Sequence, residues 1–455
     1  MRKIANWTCA VLLLMASACS GGGEPTPEPL SLIGSSMNGG PINDGATNVP
    51  IDVQLEFTFS AALNIAQFEA AFSVIAATDN PTYRINYANA SSKAVISLSG
   101  LNSSTLYNLQ IVQGQLGANG QSLENSINIS FTTVSDGIVR QMAPCTSVSQ
   151  DCYRTVSLHD AAQNSGNFNF YSTYPIYLEN AEWENLKYAV IVIHGANRDA
   201  NNYFNFLLNP LNSNGLLDNT ILISPEFESN SAASNNDLSW NNDWREGQKS
   251  NSNAKITSFE AIDALITRLS DKTAFPALEK VIITGHSSGA LFTQVYGVAN
   301  VVAPTFDHLS FDYVVANSQY FYYPDNQRYN EGNNQFYTPT GCNTYNHWPL
   351  GYVNAPAYVT TRTESEIDAN LLTRKFTYFL GNGTGNDSAL NTSDCDAILL
   401  GSSRFKRGEH IYNWIQTQYA GQNNSSKVVV NGIGHDGQGM YQSTDFKNLI
   451  SNIFN

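Results

Sequence analysis

Six short apolar runs, each closed by a loop, limit most tightly what this chain can fold into. They are "YAVIVIHG" (Tyr188–Gly195), "TILISPEF" (Thr220–Phe227), "KVIITGH" (Lys280–His286), "DYVVANS" (Asp312–Ser318), "FTYFLG" (Phe376–Gly381) and "KVVVNGIG" (Lys427–Gly434). Their apolar residues are consecutive rather than alternating, as strands covered on both faces of a parallel sheet require. Helical patterns lie between them. "ITSFEAIDALITRL" repeats Phe259, Ile262, Leu265, Ile266 and Leu269 at helix spacing, with Ser258 as its expected cap. This alternation predicts an α/β domain over residues 138–455, a mostly parallel sheet flanked by helices.

Upstream the period changes to two. "IDVQLEFTF" puts Ile51, Val53, Leu55, Phe57 and Phe59 on one face. Similar strands follow at Tyr83/Ile85/Tyr87, Ala94/Ile96/Leu98 and Tyr107/Leu109/Ile111, before a closing "ISFTTV". Turn-rich segments separate them at the intervals of an all-β sandwich over residues 31–135. The wording "PINDGATNVPIDVQLEFTFSAAL" and "LNSSTLYNLQIVQG" resembles a bacterial Ig-like domain. That resemblance implies that Tyr107 is a corner tyrosine, a packing residue. With no catalytic cluster among its residues, the module is expected to be a spacer or a weak binder.

The first residues bear on compartment. Arg2 and Lys3 precede an apolar run through Met15, then "ASAC" ending at Cys19. A basic start, a short apolar stretch and small residues form an export signal over residues 1–18. "ASAC" followed by Ser20 resembles a bacterial lipoprotein signal, which implies cleavage before Cys19 and lipidation of its thiol. A membrane anchor through Cys19, at the outer membrane or cell surface, is therefore expected. Residues 19–30, "CSGGGEPTPEPL", read as a Gly/Pro linker. Only 13% of residues are charged, and a net charge of −15 argues against nucleic acid as a partner. Four further cysteines, in an oxidising compartment, permit three pairings. We expect Cys145 with Cys152 and Cys342 with Cys395. A zinc site lacks the spacings that would accompany it.

The chemistry sits at strand ends. "ITGHSSGAL" places Ser287 between Gly285 and Gly289, after a buried strand and ahead of a helical pattern. A nucleophile elbow needs that order: the turn is sharp, its neighbours must be small, and the helix N-terminus favours developing negative charge. A serine hydroxyl also needs a base. His435 follows the last strand and is the expected one. His410 in a helical segment and His159 ahead of the sheet read as structural, and His286 is expected to point away from its neighbour Ser287. The acid belongs in the loop after "FTYFLG", where Asp387 lies nearest the strand and ranks first. Asp394 and Asp396, flanking Cys395, are the alternatives.

"IHGANRD" resembles the HG signature of α/β-hydrolases, which implies an oxyanion hole built from the backbone N–H groups of Ala196 and Ser288. The order Ser287, Asp, His435 is that of the same fold. "VIHGANRDANNYF", "LSWNNDWREGQKS", "GHSSGALF", "CNTYNHWPLGY" and "RFKRGEHIYNW" together resemble secreted serine hydrolases of that superfamily, and the resemblance also supports Cys342–Cys395. Relatives tend to carry an Asp close behind the post-strand glycine, where this chain reads "GNGTGND". Trp240, Trp244, Tyr320, Tyr322, Tyr345 and Trp348 fall in loops that could line a cleft. The expected function is a lipid-anchored carboxylic-ester hydrolase that needs no metal or organic cofactor. Its substrate is an external ester: an acyl group on polysaccharide, a polyester or a small ester. A serine peptidase and a non-catalytic adhesin are the competing readings.

Overall fold

The computed structural model describes residues 28–77, 81–134, 139, 142–234, 236–385 and 387–454. The export signal, Cys19 and most of the linker lie outside the described residues, as does Ser135 at the expected domain edge.

The N-terminal unit is a β-sandwich. One sheet is built on Leu32–Met37, Val53–Phe59, Tyr83–Ala88 and Lys93–Leu98. The facing sheet holds Ala46–Val49, Phe72–Ala76, Leu106–Ile111 and Ile127–Thr133. Alternation does the folding here: Val53, Leu55, Phe57 and Phe59 point inward and pack with Ile96, Tyr107, Leu109 and Phe131. Ile51 sits just ahead of its strand and is half-buried. Tyr107 is fully buried, and its hydroxyl accepts the Asn102 N–H at 2.8 Å, the bond a tyrosine corner makes.

The second unit is built on eight strands. They are β1 (Tyr153–His159), β2 (Ser165–Ser172), β3 (Tyr188–Ile193), β4 (Thr220–Pro225), β5 (Lys280–His286), β6 (Ser310–Ala316), β7 (Lys375–Gly381) and β8 (Ser426–Val430). Their order across the sheet is β1-β2-β4-β3-β5-β6-β7-β8. β2 runs antiparallel to both of its neighbours, β1 and β4, and β3 to β8 form a parallel set. This is the α/β-hydrolase fold. β1 and β2 lack a continuous apolar run, and one consequence is that His159 lies in the edge strand of the sheet rather than ahead of it.

Helices cover both faces. α1 (Ala200–Ser213), α2 (Ser258–Leu269), α3 (Ser288–Ala299), α4 (Glu364–Thr373), α5 (Arg404–Gln418) and α6 (Thr444–Phe454) are the longer ones. α2 buries Phe259, Ile262, Leu265, Ile266 and Leu269, each worth about 1.5–3 kcal/mol relative to exposure. Its cap is Thr257, not Ser258: Thr257 and Glu260 form a capping box, while Ser258 is the first helical residue and donates to Trp244 O. All twelve residues of α3 are buried, as expected for a helix that is apolar on every side. Two disulfides form, Cys145–Cys152 and Cys342–Cys395, with Cα separations of 5.5 and 5.9 Å.

Candidate active site

Strand register brings the chemistry to one edge. Gly285 of β5 pairs with Ile193 of β3, and Gly381 of β7 pairs with Val430 of β8. The segments that follow these strands carry Ala196, Ser287, Asp387 and His435, all at the carboxyl ends of the parallel set.

Ser287 caps α3 with φ 60° and ψ −116°, a conformation that non-glycine residues rarely adopt. Its N–H donates to Ala316 O at 3.0 Å, which ties the strained residue to β6. The flanking glycines are required by space. A Cβ on Gly285 would fall 2.2 Å from Gly289 O, and one on Gly289 would fall 2.2 Å from Ile193 O. The elbow and the end of β3 are therefore in direct backbone contact. That contact sets Ser288, whose N–H is among the four that a helix start leaves without an intrahelical acceptor, beside the turn bearing Ala196. His194 holds this turn. Its Nε2 accepts the Phe227 N–H at 3.0 Å, so the proton resides on Nδ1, which donates to Gly195 O at 2.8 Å. Complete burial depresses its pKa to about 4, and the ring is neutral.

His435 and Asp387 are in contact, Nδ1 to Oδ1 at 3.1 Å. The other carboxylate oxygen accepts Arg404 Nε at 2.5 Å. Burial alone would raise the Asp387 carboxyl, but the Arg404 hydrogen bond and charge, with His435, hold it below the usual range. His435 is pushed below the ordinary imidazole value by burial and by Arg404, against the opposing pull of Asp387. A Nδ1 proton held by Asp387 leaves the Nε2 lone pair free to accept a proton. Two backbone clamps place the loops: Asn317 Nδ2 donates to Gly434 O at 2.7 Å, and Asn317 Oδ1 accepts the Gly381 N–H at 2.7 Å.

His286 does not stand apart from the site. Its ring stacks on that of His435 with centroids 5.0 Å apart, and its Nδ1 lies 3.0 Å from the Tyr203 hydroxyl. Burial first, then the neighbouring His435, keeps His286 neutral. Asp394 and Asp396 are engaged elsewhere: Asp394 accepts from Asn391 Nδ2 at 2.7 Å and Asp396 from the Thr344 hydroxyl at 3.1 Å. His410 is held by Leu400 O at 2.9 Å and stacks on Tyr329. The loop aromatics divide. Trp240, Trp244 and Tyr322 are core residues, and Tyr345 packs against the Arg328 guanidinium. Tyr320 and Trp348 line a cavity of about 330 Å³ over the first turn of α3. Arg404 and Asn317 carry no motif of their own in the sequence. The "RFKRGEH" start of α5 was the only trace of the former.

Residues 40–133 match the family model described as a bacterial Ig-like domain. The N-terminal sandwich is a bacterial Ig-like domain. No curated protein matches the chain. Beyond the Ig-like domain, the chain is similar in structure to a poly(3-hydroxybutyrate) depolymerase from Bordetella parapertussis, at 20% identity and TM-score 0.46, over 64% of this chain and 87% of that one. A poly(aspartic acid) hydrolase from Sphingomonas shows 17% identity and TM-score 0.44, over 64% and 97%. A lidless α/β serine hydrolase from Xanthomonas campestris shows 11% identity and TM-score 0.31, over 64% and 92%. The Ig-like domain thus stands ahead of the unit that carries Ser287, Asp387 and His435.

Proposed function

We propose that the chain is an exported serine hydrolase of carboxylic esters. The observation that carries this reading is the contact of His435 Nδ1 with Asp387, at the strand edge where Ser287 sits on a strained elbow. His435 Nε2 takes the proton of Ser287 Oγ as that oxygen attacks the ester carbonyl. The N–H groups of Ala196 and Ser288 hold the tetrahedral oxyanion, and Asp387 steadies the imidazolium. His435 then returns the proton to the departing alcohol, and water, activated by the same base, releases the acyl group from Ser287. Lipidation of Cys19 would tether the enzyme at the cell envelope, with residues 19–30 and the Ig-like domain as spacer. Two disulfides suit an oxidising compartment of that kind.

The test is a panel of p-nitrophenyl esters with wild type and Ser287→Ala. Wild-type turnover that falls by at least about 1,000-fold in the variant is the expected result. Equal turnover by both proteins, or none by the wild type, overturns the reading.

A further inference from the structure

The cavity over the first turn of α3 has a composition that selects its occupant. Arg245, Leu291, Tyr320, Trp348, Asp394 and Asp396 are among the residues that line it, and Glu246 and His347 also face it. Leu291 is four residues after Ser287 on the same helix, and Arg245 Nη1 lies 3.4 Å from the Ser288 hydroxyl. The cavity therefore opens beside the proposed nucleophile and oxyanion donors. It is within reach of the part of a substrate that flanks the scissile bond.

Its walls are fixed in place. The Cys342–Cys395 disulfide joins the segment bearing Thr344 and Trp348 to the segment bearing Asp394 and Asp396. Thr344 Oγ1 donates to Asp396 across the same junction at 3.1 Å. The Trp348 indole N–H donates to Glu246 O at 2.8 Å, and Asn391 Nδ2 donates to the Tyr320 hydroxyl at 2.8 Å. The Arg245 guanidinium lies over the Tyr320 ring, 5.9 Å from its centroid. Aromatic surface, one fixed cation and carboxylates thus face one space.

Elimination then works on charge and polarity. An alkyl chain would strip water from Arg245 and two aspartates without replacing a hydrogen bond. An anionic group drawn to Arg245 would meet Asp394, Asp396 and the neighbouring Glu246. A cationic group drawn to the aspartates would meet Arg245 at the serine end. A neutral ring bearing several hydroxyls suits these walls: its hydroxyls donate to the aspartates, its oxygens accept from Arg245, and its carbon face packs on Tyr320 and Trp348.

We infer that this cavity is a sugar subsite, and that the esters cleaved are O-acyl groups on carbohydrate, with the sugar as the departing alcohol. The inference rests on the ester-hydrolase reading above and adds the substrate class.

The test compares secondary ring acetates of the same ring size: the 2-, 3- and 4-O-acetyl esters of methyl glucopyranoside, and cyclohexyl acetate, which lacks the hydroxyls. p-Nitrophenyl acetate serves as the independent measure of esterase activity. Wild-type kcat/KM is expected to favour at least one sugar acetate by 30-fold or more, on the order of what a hydrogen-bonding subsite supplies. That ratio is expected to fall at least about 5-fold in both Asp396→Asn and Arg245→Met. p-Nitrophenyl acetate turnover with a ratio near one for every isomer overturns the sugar subsite and leaves the esterase reading standing. A high ratio unchanged in both variants also overturns it, by placing recognition elsewhere. No turnover of any of the esters overturns the esterase reading itself.

Discussion

Arg404 Nε meets Asp387 Oδ2 at 2.5 Å, on the oxygen that His435 does not use. One carboxylate thus joins two side chains, with Oδ1 also accepting the Ala389 N–H at 3.1 Å, and Arg404 acts on His435 through it and through its own charge. In the proposed mechanism neutral His435 is the active form, so activity is expected to be lost as pH falls through its pKa. Burial and Arg404 both depress that pKa, which sets the acid limb of kcat/KM below the ordinary imidazole value of about 6.5. Replacing Arg404 by Gln removes one depressing influence, and the acid limb is expected to move to higher pH. A pH–rate profile checks this; an unmoved limb would show that Arg404 only supports the fold.

Asp387→Asn keeps the shape of the acid but not its charge. The amide cannot stabilise an imidazolium, and its NH₂ group favours the wrong tautomer of His435. A kcat reduced by about 1,000- to 10,000-fold is expected, while Asp394→Asn and Asp396→Asn on p-nitrophenyl acetate should fall far short of that loss. Single-turnover kinetics on the three variants distinguishes them. Loss confined to Asp394→Asn or to Asp396→Asn would move the acid.

Gly289 is expected to tolerate no side chain. An added methyl would overlap the backbone carbonyls of Ile193 and His194, at 2.2 and 2.5 Å, neither of which is the end of a flexible chain. Gly289→Ala should destabilise the hydrolase unit by about 3 kcal/mol or more. Gly385→Ala, whose Cβ would meet nothing within 4 Å, is the control expected to melt like wild type. Thermal denaturation followed by circular dichroism measures both.

Legibility of this fold in its sequence tracked burial. Strands covered on both faces are written as unbroken apolar runs, so β3 to β8 could be read directly. β1 reads "YRTVSLH", half of it facing solvent at a sheet edge, and offered no such run. Ser287 and His435 were legible because each follows a recognisable strand. Arg404 and Asn317 were not, because their roles depend on loops that meet only after the sheet has formed. The carboxylate that contacts His435 was legible only as a choice of three, since loop length says little about which carboxylate turns toward a histidine. Aromatics in polar loops looked like cleft residues, but Trp240, Trp244 and Tyr322 fill the space beneath those loops instead.

The stacked pair of His286 and His435 gives the site an internal observer. His286 is buried and stays neutral, yet its ring lies 5.0 Å from that of His435, which would change charge in the proposed mechanism. Its ring protons should therefore shift in an NMR titration at the pKa of His435, without an ionisation of their own. In His435→Gln that shift should vanish. The residue next to the nucleophile would then read out the protonation of the base in the resting enzyme, free of any substrate or probe.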